Sequence, residues 1–426
     1  MKHMKHILSL MLALLMTMTM LIGCTSSESD SDSLVIWSYD MAVTQAQVEE
    51  YLKVYPDAKI EVVPVDGGSY EQLLQTALFI DDEMPDIIWG DYFSRGKIFS
   101  LGICEDLSQE PYNLDTSLMS PWVLETCKNE QGQVLGIEHG PAPTGLMYKR
   151  DICLQYLGTD DPYELSEMFS TWEGLLEACR TIYRESNQTI IPFASIGDVY
   201  SLITGMLNLP WVVDGKQNAD AVCDGIFPLL EIFVTEGLCA NVDQWTAAYY
   251  NSYNKDKYAF HICPQWAMDY HVKENAPDQA GNLGICCSVG GMFSWGGTTY
   301  SIYNKSDKKE EAWQFIQWAL LSEEGQKSFI GNIIANGGSG VVGTLATLYS
   351  DPIYDREDPF FGGQKVLKFY AEHMDQVNAR PVTKYDTAIG DSLGLVLNSM
   401  KNGYTAEQCK EAVMAELKLK LPELFK

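Results

Sequence analysis

The chain has 426 residues, of which 46% are hydrophobic, and its 58 acidic residues outnumber 29 Lys and Arg for a net charge of −29. Such a charge argues against nucleic acid as a partner, because a negative surface repels phosphate. The length predicts two folded units rather than one very large core.

The first 23 residues have the pattern of a signal peptide, with Lys2 and Lys5 before an apolar run that ends at Gly23. The run is too short for a transmembrane helix. "LIGC" resembles the lipobox of bacterial lipoproteins, which implies that cleavage leaves Cys24 as the new N-terminus, carrying palmitate-type acyl chains. An ordinary secretory cleavage site is the alternative. Residues 24–33 then form a polar tether, and the protein lies on the extracellular face of the cell membrane, lipid-anchored.

The folded part begins with alternating strand and helix patterns. "SLVIWSYD", "AKIEVVPV" and "PDIIWGD" are typical of strands, and "TQAQVEEYLKVYP" and "SYEQLLQTALFI" lie between them with helical spacing. This order predicts a parallel sheet covered by helices. Since ligands bind at the carboxyl ends of such strands, "SYD" and "WGDYF" are expected at one edge and near a ligand.

The rest of the chain continues the α/β pattern. "QGQVLGIEHGPAPTGLMYKRDI" holds two strand patterns interrupted by Gly-Pro-Ala-Pro, which we interpret as a crossing between lobes. Helices are predicted at "STWEGLLEACRTIYRES", "AVCDGIFPLLEIFVTEG" and "KKEEAWQFIQWALLSEEGQKSFI", with strands at "NLGICCSVGG" and "TTYSIYNKS". The C-terminal segments are predicted to be helical.

Cysteine and histidine residues give no sign of a metal or cofactor. Ten cysteines follow Cys24, none in a CxxC pair, and most lie in apolar patterns, so buried free thiols are expected. The four histidines after the signal segment have no recognisable ligand spacing. We therefore predict no metal site and no cofactor.

The ordered set of "LVIWSYD", "MPDIIWGDYFSRG", "GLMYKRDICLQYLG", "TWEGLLEACRTI", "PQWAMDY" and "TTYSIYNKSDKKEEAWQFIQWALLSEEGQKSF" resembles the extracellular solute-binding proteins of ABC importers. The likeness is to their carbohydrate-binding, maltodextrin-type branch, family 1. It implies a two-lobed periplasmic-binding-protein-like α/β fold with a multi-strand hinge, type II. Lobe 1 would hold residues 34–140 plus 290–340, and lobe 2 residues 141–289 plus 341–426.

The resemblance also implies a function. Such a protein captures a sugar or oligosaccharide between its lobes and delivers it to the transmembrane subunits of an ABC permease, as a monomer. The segment "PAPTG" departs from the family pattern, in which an acidic sugar contact lies here, so maltodextrin itself is not implied.

A sugar site needs aromatic platforms and polar groups around them. Loop position and the resemblance together give these candidate ligand-binding residues: Tyr39, Asp40, Trp89, Asp91, Arg95, Asp198, Tyr200, Trp211, Trp266, Trp295, Arg380 and Tyr385. For Trp89, Trp266 and Trp295, neighbouring Gly, Pro or Asp residues predict turns. Trp122, Trp172, Trp313 and Trp318 have helical spacing and are expected in the core.

Other functions are open at this point. No "GxSxG", "HExxH" or phosphate-binding loop is present, so an enzyme is not expected, although paired carboxylates of a glycoside hydrolase would leave no motif. A binder of a non-sugar solute such as a polyamine, a peptide or an anion is the alternative within transport. A surface sensor is the alternative outside it.

Overall fold

The computed structural model describes residues 32–80 and 84–426. The predicted signal segment, Cys24 and most of the tether lie outside the described residues. Within the described ranges, no helix is both long and apolar enough to cross a membrane.

Strands and helices alternate along most of the chain. The strands are β1 (Leu34–Ser38), β2 (Ile60–Pro64), β3 (Ile87–Asp91), β4 (Ile137–Glu138), β5 (Pro143–Lys149), β6 (Ile191–Phe193), β7 (Val212–Val213), β8 (Lys216–Gln217), β9 (Tyr258–Pro264), β10 (Leu283–Cys286), β11 (Met292–Ser294), β12 (Thr298–Ile302) and β13 (Val377–Asn378). The helices are α1 (Met41–Val54), α2 (Tyr70–Ile80), α3 (Tyr92–Ser100), α4 (Pro121–Thr126), α5 (Arg150–Leu157), α6 (Pro162–Met168), α7 (Trp172–Glu185), α8 (Ile196–Leu207), α9 (Ala219–Thr235), α10 (Ala247–Ser252), α11 (Lys309–Leu321), α12 (Glu323–Ala335), α13 (Val366–Glu372), α14 (Asp386–Lys401) and α15 (Ala406–Lys420).

The first sheet has the strand order β2-β1-β3-β12-β4. β1 is parallel to both β2 and β3, and β12 is antiparallel to β3. The predicted β-α-β-α-β start is therefore confirmed, with β1 between its two parallel neighbours. The central strands are apolar because helices cover the sheet. The carboxyl ends of β1 and β3 meet at one edge.

The second sheet has the strand order β13-β11-β5-β9-β6, with β10 also paired to β5. Its strand β5 is buried along its whole length. Successive side chains point to opposite faces, so Leu146 and Tyr148 pack into one core cluster and Met147 into the other. The second sheet is thus covered on both faces.

Two short segments carry the chain between the sheets. Residues 139–142 join β4 to β5, as the Gly-Pro-Ala-Pro pattern predicted, and residues 295–297 join β11 to β12. The segments run side by side, because the amide of Trp295 donates to the carbonyl oxygen of Ala142 at 3.1 Å, and that of His139 to Thr298 at 2.8 Å. A third connection runs from α12 to β13. The division into lobes at the predicted residue numbers stays a prediction, and Met292–Ser294 pairs with the second sheet.

We call residues 295–297 the crossing. Gly297 shows why this segment needs glycine. Its φ is 100°, and a Cβ at this position would lie 2.7 Å from Oε1 of Glu138. Glu138 is itself held by Arg95 at 2.7 Å in an ion pair that is almost completely buried. The crossing is therefore fixed to α3 of the first sheet at this point.

The ten cysteines after Cys24 are free thiols in the structure, and nine of them are buried. Burial raises the pKa of Cys104 and of Cys127 to about 12, which keeps both as neutral thiols. The thiols therefore pack as small apolar side chains, as their sequence pattern predicted.

Candidate functional site

Three tryptophan side chains form one cluster beside the segments that join the sheets. The ring centroids are 5.0 Å apart for Trp245 and Trp295, 5.9 Å for Trp245 and Trp266, and 6.0 Å for Trp266 and Trp295. The interplanar angles are 28°, 33° and 27°, so the rings are close to parallel. All three residues are half-buried, which leaves indole surface for a ligand. We call Trp245, Trp266 and Trp295 the indole cluster.

Different segments place the three indoles. Trp295 lies on the crossing that follows β11. Trp266 follows β9, and its Nε1 donates to the carbonyl oxygen of Trp295 at 3.4 Å. Trp245 lies in the loop before α10 with a φ of 63°, a value that side chains of this size rarely adopt. The cluster is therefore assembled from the crossing and from two loops of the second lobe.

Phe93, in the first turn of α3, faces the indole cluster from the first lobe. Its ring centroid is 5.3 Å from that of Trp295 at 72°, and its side chain is 46% exposed. The carbonyl oxygen of Phe93 accepts a hydrogen bond from the hydroxyl of Thr387 in α14 at 3.0 Å. The two lobes therefore touch beside the cluster.

Polar side chains lie where β1 and β3 end. The hydroxyl of Tyr39 donates to Oδ2 of Asp91 at 3.3 Å, which confirms that the loops after β1 and β3 share one edge. Asp91 also caps α3, since its Oδ1 accepts from the amide of Phe93 at 3.0 Å. Burial raises the pKa of Asp91 above its usual range. We call Tyr39, Asp40 and Asp91 the polar rim.

Asp40 links the polar rim to the second lobe. Its carboxylate accepts from the amide of Val43 at 3.2 Å and so caps α1. It also accepts a hydrogen bond from the hydroxyl of Tyr270, which lies in a π-helical turn just after Trp266. This hydrogen bond joins the two lobes across the cleft.

Three further candidates lie in the second lobe. Arg380 is paired with Asp386, with 3.2 Å between Nη1 and Oδ1. Tyr200 and Tyr385 are half-buried and pack against the same core cluster as Trp295. Burial raises the pKa of Tyr200 to about 12, against the opposing effects of Thr204 and the positive charge of Arg380. These side chains remain candidates for ligand contact.

Two first-lobe candidates are buried, contrary to expectation. Trp89 lies within β3 rather than in a turn and is 1% exposed, with its ring packed against Tyr39 at 4.8 Å and Tyr300 at 5.7 Å. Arg95 is 0% exposed, and its guanidinium donates to Glu138 at 2.7 Å, and to the carbonyl oxygens of Thr126 and Gly90. Both side chains are therefore held in the interior of the first lobe, and their direct contact with a ligand stays a prediction.

Two second-lobe candidates are also buried. Trp211 follows α8 in a loop, as predicted, but it is 2% exposed within the second core. Asp198 lies in the first turn of α8 and is 0% exposed. Its Oδ1 accepts from Nε2 of Gln244 at 2.6 Å and from the hydroxyl of Tyr249 at 2.7 Å. Burial raises the pKa of Asp198 to about 7.

The sequence reasoning missed Trp245, Phe93, Tyr270 and His271, whose ring is 5.4 Å from that of Trp266. Trp245 had a usable signal, because Asn, Asp and Thr around it favour a loop, as they did for the other tryptophans. Phe93 and Tyr270 had none, since their exposure depends on how the lobes meet.

No group of three or more His, Cys, Asp or Glu side chains that could hold a metal occurs in residues 32–80 and 84–426. The site instead combines flat apolar surfaces with carboxylates and hydroxyls on the facing lobe. Such a combination suits a ligand with apolar faces and hydrogen-bonding edges.

Comparison with known proteins gives a consistent result. The family model of the bacterial extracellular solute-binding proteins matches residues 46–338. The lactose-binding protein of Rhizobium radiobacter is 23% identical over 381 residues, which cover 83% of this chain and 85% of that protein. Among solved structures, an extracellular solute-binding protein of family 1 has a TM-score of 0.81 at 17% identity, with 91% of this chain and 99% of that chain covered.

The sugar-binding protein MalE of Xanthomonas citri has a TM-score of 0.73 at 17% identity, and 92% of this chain and 98% of that one are covered. These structures confirm the predicted two-lobed α/β fold. The match of the family model covers well over half of the chain. The chain therefore belongs to the family of bacterial extracellular solute-binding proteins.

Proposed function

We propose that this protein captures a sugar or oligosaccharide between its two lobes at the indole cluster. The observation that carries the proposal is the arrangement of Trp245, Trp266 and Trp295, three nearly parallel and half-buried indoles beside the segments that join the sheets. The lactose-binding relative supports a carbohydrate as the ligand class.

The chemistry of the site fits a sugar ring. The C–H faces of a pyranose are apolar and pack on indole faces, while its hydroxyls need acceptors and donors at the ring edge. The polar rim supplies both, from the carboxylates of Asp40 and Asp91 and the hydroxyl of Tyr39. A hydrogen bond from a sugar hydroxyl to a carboxylate is charge-assisted and contributes about 1.5–3 kcal/mol.

Ligand capture follows from the two-lobed architecture. The indole cluster belongs to the second lobe and the crossing, and the polar rim belongs to the first. A ligand that contacts both binds the closed arrangement more tightly and shifts the population toward it. The hydrogen bond between Tyr270 and Asp40 and the contact between Phe93 and Trp295 stabilise the same arrangement.

The cellular setting is also part of the proposal. Acylated Cys24 anchors the protein to the extracellular face of the cell membrane, the tether gives it reach, and an ABC permease takes the ligand from the closed form. Replacing Cys24 by Ser in the producing bacterium tests the anchor. The protein is expected to move from the membrane fraction to the medium, and retention on the membrane would contradict the anchor.

One observation favours a second candidate, a cationic solute such as a polyamine. The carboxylates of Asp40 and Asp91 lie beside aromatic rings, a setting that also attracts organic cations. The net charge of −29 acts in the same direction.

A binding panel distinguishes the candidates. The purified protein is heated with lactose, maltose, arabinobiose, spermidine or a tripeptide, and hits are titrated by calorimetry. We expect a sugar to raise the melting temperature and to be recovered unchanged after long incubation. A rise in melting temperature with spermidine alone would favour the cationic solute. Chemical conversion of the sugar would show that the protein is an enzyme.

A further inference from the structure

We infer that Asp198 is the positioning residue of the indole cluster, holding Trp245 in place from inside the second lobe. The inference rests on the proposed function, because it explains how one wall of the proposed sugar site is kept in its geometry. It gives a role to a side chain that the sequence predicted as a direct ligand contact and that is completely buried in the structure.

The two hydrogen bonds of Asp198 bracket Trp245 in sequence. Gln244, immediately before Trp245, donates its side-chain amide to Oδ1 at 2.6 Å, and Tyr249, four residues after it, donates its hydroxyl to the same oxygen at 2.7 Å. One buried atom of α8 therefore fixes both ends of the turn that carries Trp245.

Gly197 makes this close approach possible. A Cβ on Gly197 would lie 2.4 Å from Oε1 of Gln244, so any other residue here would push the Gln244 side chain away from Asp198. Before the turn, the amide of Val242 donates to the carbonyl oxygen of Ala194 at 3.2 Å. Hydrogen bonds thus hold the loop against the residue after β6 and against the first turn of α8.

The backbone of Trp245 needs such support. Its φ of 63° is in the left-handed region, which costs free energy for a residue with a large side chain. Without the hydrogen bonds from Gln244 and Tyr249 to Asp198, the turn can relax toward ordinary backbone angles. Such relaxation moves the indole away from Trp295, whose ring lies 5.0 Å from it.

Fluorine NMR of protein labelled with 5-fluorotryptophan tests the inference without any ligand. Each of the ten tryptophans gives one resonance, and Trp245→Phe assigns that of Trp245. In Asp198→Ala, we expect the Trp245 resonance to shift or broaden by more than its linewidth. Asp198→Asn retains the acceptor oxygen, so its Trp245 resonance is expected to stay at the wild-type position.

Two matched tyrosine variants test the same inference if Asp198→Ala folds poorly. Tyr249→Phe removes only the hydroxyl that donates to Asp198. Tyr148→Phe is the control, because Tyr148 in β5 is also a completely buried tyrosine and its hydroxyl donates to the carbonyl oxygen of Asp160 at 2.6 Å. The Trp245 resonance is expected to move in the first and not in the second. An unmoved resonance in both Asp198→Ala and Tyr249→Phe overturns the inference, as does an equal change in Tyr148→Phe.

Titration with lactose tests whether the position of Trp245 affects sugar binding. Affinity is expected to fall about tenfold in Asp198→Ala and to stay within about twofold in Asp198→Asn, since loss of one well-placed stacking surface has about this effect. If lactose and the other sugars bind no variant, including wild type, the proposed function fails while the resonance test still decides on Asp198. If affinity falls but the Trp245 resonance stays in place, the positioning role is wrong.

Discussion

The polar rim and the indole cluster face each other, but they are held in different ways. Asp40 and Asp91 each cap a helix, so the helices fix their carboxylates directly at the ends of β1 and β3. The indoles come from three separated segments and are held by contacts with one another and by the buried bonds of the Trp245 turn. The rim is a local consequence of the sheet, whereas the cluster depends on tertiary structure.

This difference has a functional consequence. Because helix caps fix the rim, we expect it to keep its geometry in open and closed forms. We expect the cluster to change when the lobes rotate, because Trp295 lies on the segment that joins the two sheets. We therefore expect changes in the cluster to affect affinity most, changes across the cleft to affect closure, and changes beneath the rim to affect stability.

The largest expected change is in the free energy of unfolding of Trp89→Ala. It tests whether Trp89 is a core residue rather than a ligand contact. Trp89→Ala removes a fully buried side chain and should lower the free energy of unfolding by about 3–5 kcal/mol. Affinity of the folded protein for its best sugar should change by less than about threefold. Chemical denaturation and calorimetry measure the two quantities, with Trp318→Ala in the same core as the control.

A normal unfolding curve together with lost affinity would place Trp89 in the binding site. The distinction between a core residue beneath the polar rim and the ligand-binding indoles would then be wrong.

The next effect tests the indole cluster. Trp295→Ala should weaken sugar binding by about 30-fold, about 2 kcal/mol, because this indole contacts both other indoles and Phe93. Trp313→Ala is the control, since Trp313 is half-buried on α11 of the first lobe, outside the indole cluster, and packs against Tyr112 at 5.5 Å. Equal losses of affinity in both variants would show a general effect of tryptophan removal.

The outcome for these two tryptophans shows what sequence reasoning can reach. Trp89 and Trp295 are both followed by glycine, so their local patterns are alike. What separates them is strand pairing: Trp89 lies opposite Tyr300 between β1 and β12, whereas Trp295 lies past the end of β11, before Gly296 with a φ of 93°. A local pattern does not show the pairing of Trp89 with Tyr300, which lies about 210 residues further along the chain.

The first three strands and two helices of the fold were predictable, because their pattern is local in the sequence. Apolar strands of β1, β2 and β3 alternate with amphipathic helices, and parallel strands bring their carboxyl ends together. The contact between Tyr39 and Asp91 follows from that rule. Trp245, Phe93 and the burial of Asp198 depend on the second lobe and on the meeting of the lobes, which periodicity does not encode.

A smaller effect tests the bond across the cleft. Tyr270→Phe removes the hydroxyl that donates to Asp40 and should weaken sugar binding about threefold to tenfold, near 1 kcal/mol, by destabilising the closed form. Small-angle X-ray scattering should show a larger radius of gyration without ligand. The matched control is Tyr163→Phe, whose hydroxyl donates to Glu372 at 2.8 Å and lies away from the cleft.

An unchanged radius together with unchanged affinity would mean that this hydrogen bond does not contribute to closure.

The smallest effect concerns pH. Burial raises the pKa of Asp198 from 3.8 to about 7, so the folded state binds this proton more tightly than the unfolded state, and the associated stability is lost as pH rises through about 7. Asp198→Asn carries no such charge. Its melting temperature relative to wild type should therefore rise by about 1–3 °C between pH 5 and pH 8. A difference that falls with pH would contradict the raised pKa.

The most direct test of the account is a fluorine NMR titration of the 5-fluorotryptophan protein with the sugar that binds best in the panel. We expect the resonances of Trp245, Trp266 and Trp295 to shift together with one dissociation constant. Those of Trp89, Trp211, Trp313 and Trp318 should stay in place. A sugar that binds while these three resonances remain unmoved would show that the ligand does not contact the indole cluster.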